Sequence, residues 1–262
     1  MASGKEKVNP ESGSEPGSAL SNERYFSEER TVEDYARAVA EVGLWVSEER
    51  IFTRLFKKED TLLELGCGAG RISIGLWELG YRDLFATDVS RPMVDRARAL
   101  AQLLEYEIKV GVQDATALNF GPGTFDGVIF GFNGLMMVGG LKKRMAVLRE
   151  VFRVLRAGGY FVFTGHDREQ SPYGDFWEEE AARWERGGQD PRTEVFGDRI
   201  ADTCEGPCYI HVPTKDEVLG WLSETAWQVE ATFLRSEMLQ EPPGVEAFSD
   251  DTRFWVLRKP SL

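Results

Sequence analysis

Three glycines at alternate positions, Gly66, Gly68 and Gly70, follow the apolar stretch TLLEL and precede a helical pattern of apolar residues. A loop of this kind joins a strand to a helix and lets the backbone approach a ligand closely. From Asp60 to His166, further apolar strand patterns alternate with helical patterns. This alternation is typical of βαβ units. We therefore predict an α/β fold, a Rossmann-like, doubly wound, seven-stranded and mostly parallel sheet whose last strand is antiparallel.

The segments around this alternation predict the domain organisation. Residues 1–22 are rich in Gly, Ser, Pro, Glu and Lys, which predicts a disordered tail before a single domain over 23–262. Apolar residues at helical spacing over 31–56 predict N-terminal helices. Residues 167–205 carry twelve acidic and five basic residues among interleaved aromatics, and we predict an inserted lid there, partly helical around 175–186. A helix over Lys142–Gly159 is predicted to end at its glycine pair.

Composition limits the classes of function. The chain of 262 residues has 42% hydrophobic residues, enough for a core, and no apolar run near the about 18 residues that a membrane span needs. The first twenty residues lack the apolar region of a secretory signal, and three cysteines form no disulfide framework, so we expect a cytoplasmic protein. A net charge of −13 disfavours nucleic acid as a partner. A small molecule or a protein is the better candidate, and the oligomeric state is not indicated.

The glycine spacing departs from the phosphate-binding loops. A dinucleotide loop of the G-x-G-x-x-G type would have a third glycine where Arg71 stands, and no lysine completes a Walker loop. Instead Glu64, Asp88 and Asp114 fall at the ends of three consecutive predicted strands. Ligands of doubly wound sheets bind at the carboxyl ends of the strands, so these carboxylates converge on one crevice. They suit a ligand with an ammonium group, ribose hydroxyls and an adenine amine.

Five segments in order carry a resemblance to a known family: ELGCGAG, FATDVS, VQDATAL, FDGVIFGFNGL and LREVFRVLRAGGYFVFTGH. They resemble the motifs of class I S-adenosylmethionine-dependent methyltransferases, and in particular the bacterial small-molecule branch. The resemblance extends motif by motif over residues 60–166 and loosely over 206–258. It implies methyl transfer from S-adenosylmethionine, with S-adenosylhomocysteine as product, to an O, N or S atom of a small acceptor. A protein side chain is the alternative acceptor.

The resemblance also implies roles for residues at the matching positions. The glycines would approach the methionine part of the cofactor, Glu64 its amino group, Asp88 the ribose hydroxyls, and Asp114 the adenine amine. The full set of predicted cofactor contacts is Tyr25, Glu64, Gly66, Cys67, Gly68, Gly70, Asp88, Val89, Met93, Asp114, Ala115 and Phe130. Several have structural alternatives: Glu64 can compensate a helix N-terminus, Asp88 can cap a helix, and Tyr25 can form a hydrophobic staple.

The predicted catalytic residues are His166, His211 and Asn133. The chain has two histidines, and His166 ends a predicted strand beside the crevice. Histidine suits proton transfer near neutral pH, although an ordinary hydrogen-bonded histidine is the alternative for each. Asn133 lies in FNGL, at the position of the family's substrate-contacting motif. That segment lacks the N-P-P-Y type signature, which argues against methylation of nucleic-acid amino groups.

Other readings of these segments stay open. The lid aromatics Phe176, Trp177 and Trp184 could contact a flat or cationic acceptor or simply form the core of the lid. Cys204 and Cys208 with His211 have irregular spacing for zinc, and we predict no metal. Two other functions remain possible, a nicotinamide-dependent oxidoreductase on a similar sheet and a binding module without catalysis.

Overall fold

The computed structural model describes residues 22–170 and 172–261. Within them, seven strands form one sheet and two form a separate hairpin. The strands are β1 Leu62–Leu65, β2 Leu84–Asp88, β3 Lys109–Val112, β4 Phe125–Phe130, β5 Leu155–Gly165, β6 Asp198–Thr203, β7 Gly206–His211, β8 Gln228–Leu234 and β9 Arg253–Arg258. The helices are α1 Glu29–Glu41, α2 Val46–Leu55, α3 Arg71–Glu78, α4 Arg91–Leu103, α5 Leu141–Val154, α6 Gly174–Glu185, α7 Lys215–Ser223, α8 Arg235–Met238 and α9 Pro243–Phe248.

The strand order of the large sheet is β3-β2-β1-β4-β5-β9-β8. Strands β1 to β5 pair in parallel, whereas β9 runs antiparallel to both β5 and β8. The predicted seven-stranded, mostly parallel sheet with an antiparallel last strand is confirmed. The order reverses direction between β1 and β4, and doubly wound sheets bind ligands at such a switch point.

Each face of the sheet is covered by helices because successive strand residues point to opposite faces. Leu63 of β1 packs in one apolar cluster with buried residues of α5 and α7. Leu62, its neighbour, packs in a second cluster with α2 and α3. Burial of both faces explains why β1 carries leucines on either side of the sheet, with Glu64 as its one charged residue.

The helix predicted over Lys142–Gly159 is shorter than expected. It ends at Val154, and β5 begins at the next residue. The glycine pair belongs to the strand because the Gly158 N–H donates to the Lys259 carbonyl, and the Lys259 N–H donates to the Gly159 carbonyl. These backbone bonds to the last part of the described chain were not visible in a local pattern.

Asn22, the final residue of the predicted tail, belongs to the folded unit; the rest of that prediction, residues 1–21, lies outside the described residues. Its amide donates to the carbonyls of Met137 and Tyr209, at 3.1 Å and 2.7 Å, and its oxygen accepts the Tyr209 N–H at 2.6 Å. The adjoining 3-10 turn Tyr25–Ser27 is held by Ser90, whose hydroxyl donates to the Phe26 carbonyl at 2.7 Å. The N-terminal segment is thereby fastened across the carboxyl end of the sheet.

The predicted lid, 167–205, contains α6 and β6, and the hairpin partner β7 begins directly after it. Its acidic residues are partly paired within the segment, as in the contacts of Arg192 with Asp190 and Asp202. No helix in the described part of the chain is long and apolar enough to cross a membrane.

Candidate functional site

A cavity of about 320 Å³ lies where strands β1 to β4 end. Its walls come from the loops that follow these strands, from the N-terminal segment, and from Phe248. The volume falls within the range of small-molecule sites. The predicted cofactor residues that line it are Glu64, Gly66, Cys67, Gly68, Asp88, Val89, Asp114, Ala115 and Phe130.

The glycine loop adopts a backbone that side chains disfavour. Gly66 and Gly68 have φ of +59° and +52°, in the left-handed region. A Cβ on Gly66 would lie 2.6 Å from the Phe130 ring, and one on Gly68 would lie 3.2 Å from the Tyr35 ring. The loop therefore leaves bare backbone facing the cavity, as the sequence predicts.

Asp88, at the end of β2, holds the glycine loop in place. Its two carboxylate oxygens accept the N–H groups of Gly68 at 2.9 Å and Ser90 at 2.8 Å. Burial raises the pKa of Asp88, while these two N–H bonds act in the opposite direction. Each oxygen of a carboxylate has further acceptor capacity, so ligand hydroxyls can still bind there.

Glu64 is a buried carboxyl on β1 that also lines the cavity. The Ser73 hydroxyl, on α3, donates to it. Burial raises the pKa of Glu64 to about 8, although the Ser73 bond and the charge of Arg71 act in the opposite direction. A carboxyl with this pKa is mostly neutral at pH 7, until a cation beside it favours the charged form.

The loop after β3 forms the far end of the cavity. Asp114 is exposed, and one of its oxygens accepts both the N–H and the hydroxyl of Thr116, at 2.8 Å and 2.7 Å. Ala115 and the exposed side chain of Val89 lie on the same cavity wall. This end is open and carries one carboxylate held in a fixed turn.

Arg71, which stands where a dinucleotide loop has glycine, is engaged by the protein itself. Its guanidinium makes two bonds to the buried carboxylate of Glu48, at 2.6 Å and 2.7 Å, and a third to the Gly43 carbonyl at 2.9 Å. A planar bidentate pair of this kind is strong and directional. The cation is therefore already neutralised, which makes the cavity a poor pyrophosphate site.

Three predicted cofactor contacts lie outside the cavity wall. Tyr25 packs edge-on against Phe26, at 5.2 Å between ring centres, and it is Phe26 that faces the cavity. Gly70, at φ +96°, begins α3 and faces Ala97. Met93 is fully buried on α4. Gly70 therefore faces α4 and Met93 belongs to the buried core, and neither residue lines the cavity.

The structure brings Asn133 and His166 together behind the cavity wall. The Asn133 amide nitrogen lies 3.1 Å from His166 Nε2, and His166 Nδ1 lies 3.1 Å from the Asp251 carbonyl. A carbonyl only accepts, so Nδ1 carries the proton and Nε2 accepts from Asn133. Neither side chain lines the cavity, although the neighbours Phe132 and Gly134 do. Asn133 adopts the left-handed φ of +62°, and its buried side-chain oxygen has no partner among the described residues.

His211 does not reach the cavity, and the structure places it elsewhere than the sequence analysis expects. The ring is fully buried, with Nδ1 2.8 Å from Asp198 and Nε2 2.9 Å from Glu217. Burial alone raises the pKa of Asp198, but hydrogen bonds from His211 and Tyr209 lower it to about 2. Both ring nitrogens are occupied by carboxylates, so His211 joins the β6–β7 hairpin to α7.

This difference predicts that the two histidines contribute unequally to stability. His211→Ala leaves two carboxylates without their shared partner, and we expect the free energy of unfolding to fall by about 3–5 kcal/mol. His166→Ala loses two hydrogen bonds of a half-buried ring and should cost about 1–2 kcal/mol. Urea denaturation of both variants measures the two values. Equal losses would contradict the structural role given to His211.

Several residues that line the cavity are not among the predicted site residues. They are Asn22, Tyr35, Arg71, Gln113, Thr116, Met137, Val138, Lys143 and Phe248. Tyr35 lies on an amphipathic helix, where an aromatic residue normally indicates core packing. Phe248 comes from α9, more than a hundred residues beyond the other loops.

The aromatics of the predicted lid pack among themselves and on two arginines. Trp177 and Trp184 each lie 6.0 Å from Phe196, and Arg168 and Arg199 lie 4.6 Å and 4.5 Å from the centres of the Phe196 and Phe176 rings. No described residue of 167–205 lines the cavity. The described residues also hold no cluster of three metal-ligating side chains.

Comparison with known families identifies the central part of the chain. Residues 62–159, from β1 to the glycine pair of β5, match the family model described as a methyltransferase domain. This part of the chain is similar to a methyltransferase domain, and the match covers less than half of the 262 residues. It includes the glycine loop and every predicted cofactor residue except Tyr25.

Relatives of this part of the chain have names that state different activities. Over 99 residues the chain is 34% identical to the cypemycin N-terminal methyltransferase of a Streptomyces species, covering 38% of this chain and 39% of that protein. Over 152 residues it is 27% identical to the carboxy-S-adenosyl-L-methionine synthase of Aeromonas salmonicida, covering 56% and 58%. The chain thus matches less than two thirds of the length of either relative.

Solved structures show the same fold. An S-adenosylmethionine-dependent methyltransferase of Methanosarcina mazei superposes with a TM-score of 0.65 at 20% identity, covering 81% of this chain and 98% of that one. The names of this Methanosarcina protein and of the Aeromonas relative both contain S-adenosylmethionine. Buried carboxyls at Glu64 and Asp88 and bare backbone at Gly66 and Gly68 suit a cationic ligand with hydroxyls better than a pyrophosphate.

Proposed function

We propose that this protein transfers the methyl group of S-adenosylmethionine to an O, N or S atom of a small molecule. The observation that carries the proposal is the cavity beside the bare glycine loop, where Glu64 and Asp88 lie at the ends of β1 and β2 and Asp114 lies just after β3. The enclosed position of Glu64 and Asp88, both nearly inaccessible to solvent, supports a small ligand that fills the cavity.

Each carboxyl has a distinct part in the proposed complex. Asp88 accepts the ribose hydroxyls, Asp114 accepts the adenine amine, and Glu64 faces the ammonium group. Val89 and Ala115 pack against the adenine, and the backbone of Gly66 and Gly68 adjoins the methionine part.

When bound, S-adenosylmethionine supplies a sulfonium-activated methyl group for in-line displacement. The protein's own task is then alignment and the exclusion of water, which contribute about 7–11 kcal/mol in favourable cases. Asn22 holds the N-terminal segment in place over the cavity. The rings of Phe26 and Phe132 form part of the same cavity wall.

A hydroxyl or protonated amine also requires a base. Of the two histidines we propose His166, because carboxylates bind both nitrogens of His211. To take the acceptor's proton, Nε2 of His166 has to give up its bond with Asn133.

Proton release on cofactor binding tests the part given to Glu64. With a pKa of about 8 the free carboxyl is mostly protonated at pH 7, and an ammonium beside it lowers that pKa. Binding should therefore release about one proton near pH 7, and affinity should rise with pH and level off above about 8. Calorimetry in buffers of different ionisation enthalpy measures the release. Glu64→Gln should abolish it, and a Gln variant that still releases the proton would exclude Glu64 as its source.

Methyl transfer itself is tested with cofactor carrying a labelled methyl group. The protein is incubated with a panel of small amines, alcohols and thiols and, separately, with peptides that have free N-termini. The peptide arm is included because one relative is named as an N-terminal methyltransferase. We expect the labelled methyl group in a small molecule. Label in peptides alone would show that the acceptor is a protein or peptide. Cofactor binding with no label in any acceptor would favour a binding module.

A further inference from the structure

Six charged residues of the described ranges line the cavity, four of them acidic and two basic. The charged residues that line it are Glu23, Glu64, Arg71, Asp88, Asp114 and Lys143. Glu64, Asp88 and Asp114 are assigned above to the cofactor, and Arg71 is bound by Glu48. Lys143 is the remaining cation, and among the described residues its ammonium group has no hydrogen bond or ion pair. It is exposed at the mouth of the cavity.

Lys143 lies at the end of the cavity away from the proposed adenine site. The loop with Asp114 follows β3, at the edge of the sheet, whereas Lys143 follows β4, and β2 and β1 lie between. Met137 and Val138 form the wall next to Lys143. Their carbonyls are fixed by Asn22 and by the buried Arg144, at 3.1 Å and 3.0 Å.

Lys143 lies in a basic helical turn near apolar residues of the cavity. Two carboxylates are also nearby, since Glu23 lines the cavity and Glu194 lies beside Gly140 at the start of α5. Lys142, Lys143 and Arg144 are consecutive in the first turn of α5, which holds no acidic residue, in a chain of net charge −13. Phe132 and Phe248 line the same cavity with their rings stacked, 5.0 Å apart between centres and 24° between planes. Phe132 has a φ of +45°, a strained conformation for an aromatic residue, which places its ring in this wall.

We propose that the methyl acceptor is an apolar molecule with an anionic group, a carboxylate or a phosphate, that Lys143 binds. The apolar body packs against Phe132 and Phe248 while the anion stays at the cavity mouth. This inference rests on the proposed function, because it assigns the space that the cofactor leaves free.

The test uses matched probes on the protein saturated with S-adenosylhomocysteine. Phenylacetate is compared with phenylacetamide, and phenyl phosphate with phenol, by NMR titration at low ionic strength; a wider panel of acid and amide pairs follows the same design. We expect at least one anion to bind about five- to tenfold more tightly than its neutral partner. The preferred anion distinguishes carboxylate from phosphate.

Two lysine variants locate the effect. Lys143→Gln should remove the preference for the anion, whereas Lys142→Gln, which loses the same charge one residue outside the cavity wall, should retain it. Equal loss in both variants, or no preference in any pair of the panel, overturns the proposal. Failure of S-adenosylhomocysteine itself to bind is a different result, and it would instead contradict the proposed function.

Discussion

Asp88→Ala should weaken the binding of S-adenosylmethionine about 100-fold or more, because two charge-assisted hydrogen bonds, each about 1.5–3 kcal/mol, are lost. The substitution also leaves the N–H groups of Gly68 and Ser90 without their acceptor, so the glycine loop loses its support. Both effects weaken the binding of the cofactor. Calorimetric titration with S-adenosylhomocysteine measures the loss.

Asp114→Ala is the matched control for this variant. Its carboxylate is exposed and bonded within its own turn, whereas Asp88 is nearly inaccessible. We expect a loss of about tenfold or less, since an exposed hydrogen bond competes with water. A thermal unfolding curve shows whether each variant is folded. Unchanged affinity for S-adenosylhomocysteine in a folded Asp88→Ala protein would show that this carboxylate does not bind the cofactor.

Gly68→Val should abolish detectable cofactor binding. The new side chain would enter the space between the loop and the Tyr35 ring, where a Cβ alone already comes within 3.2 Å. A φ of +52° adds a strain of about 1–2 kcal/mol for any residue with a Cβ. The bare backbone that faces the cavity would then be covered.

Gly123→Val separates strain from steric exclusion. Gly123 has a comparable φ of +64°, lies in the turn before β4, and has no atom within 4 Å of an added Cβ. We expect a similar loss of stability with normal cofactor affinity, measured by denaturation and calorimetry on both variants. Equal weakening of binding in the two variants would mean that strain alone explains the Gly68 result.

The sequence was most informative where local pattern and chemistry coincide. The apolar runs of β1, β2 and β4 and the residues directly after them predicted both the sheet and the lining by Glu64, Gly68 and Asp88. These positions are determined by topology, because parallel strands bring their carboxyl ends to one edge.

The rest of the site depends on contacts between distant segments. Phe248 reaches the cavity from α9, and Asn22 reaches it through bonds to Met137 and Tyr209, which no motif encodes. His211 has the residue type of a base and a position before a helix, yet Asp198 and Glu217 bind both of its nitrogens. Only the tertiary structure distinguishes a histidine that is free to transfer protons from one that joins two elements.

The most direct test of the account is a pair of calorimetric titrations of the unmodified protein, one with S-adenosylhomocysteine and one with NAD. The cavity with three strand-end carboxylates and a neutralised Arg71 predicts saturable binding of one S-adenosylhomocysteine per chain and no binding of NAD. Saturable binding of NAD without binding of S-adenosylhomocysteine would contradict the account and favour a nicotinamide-dependent oxidoreductase.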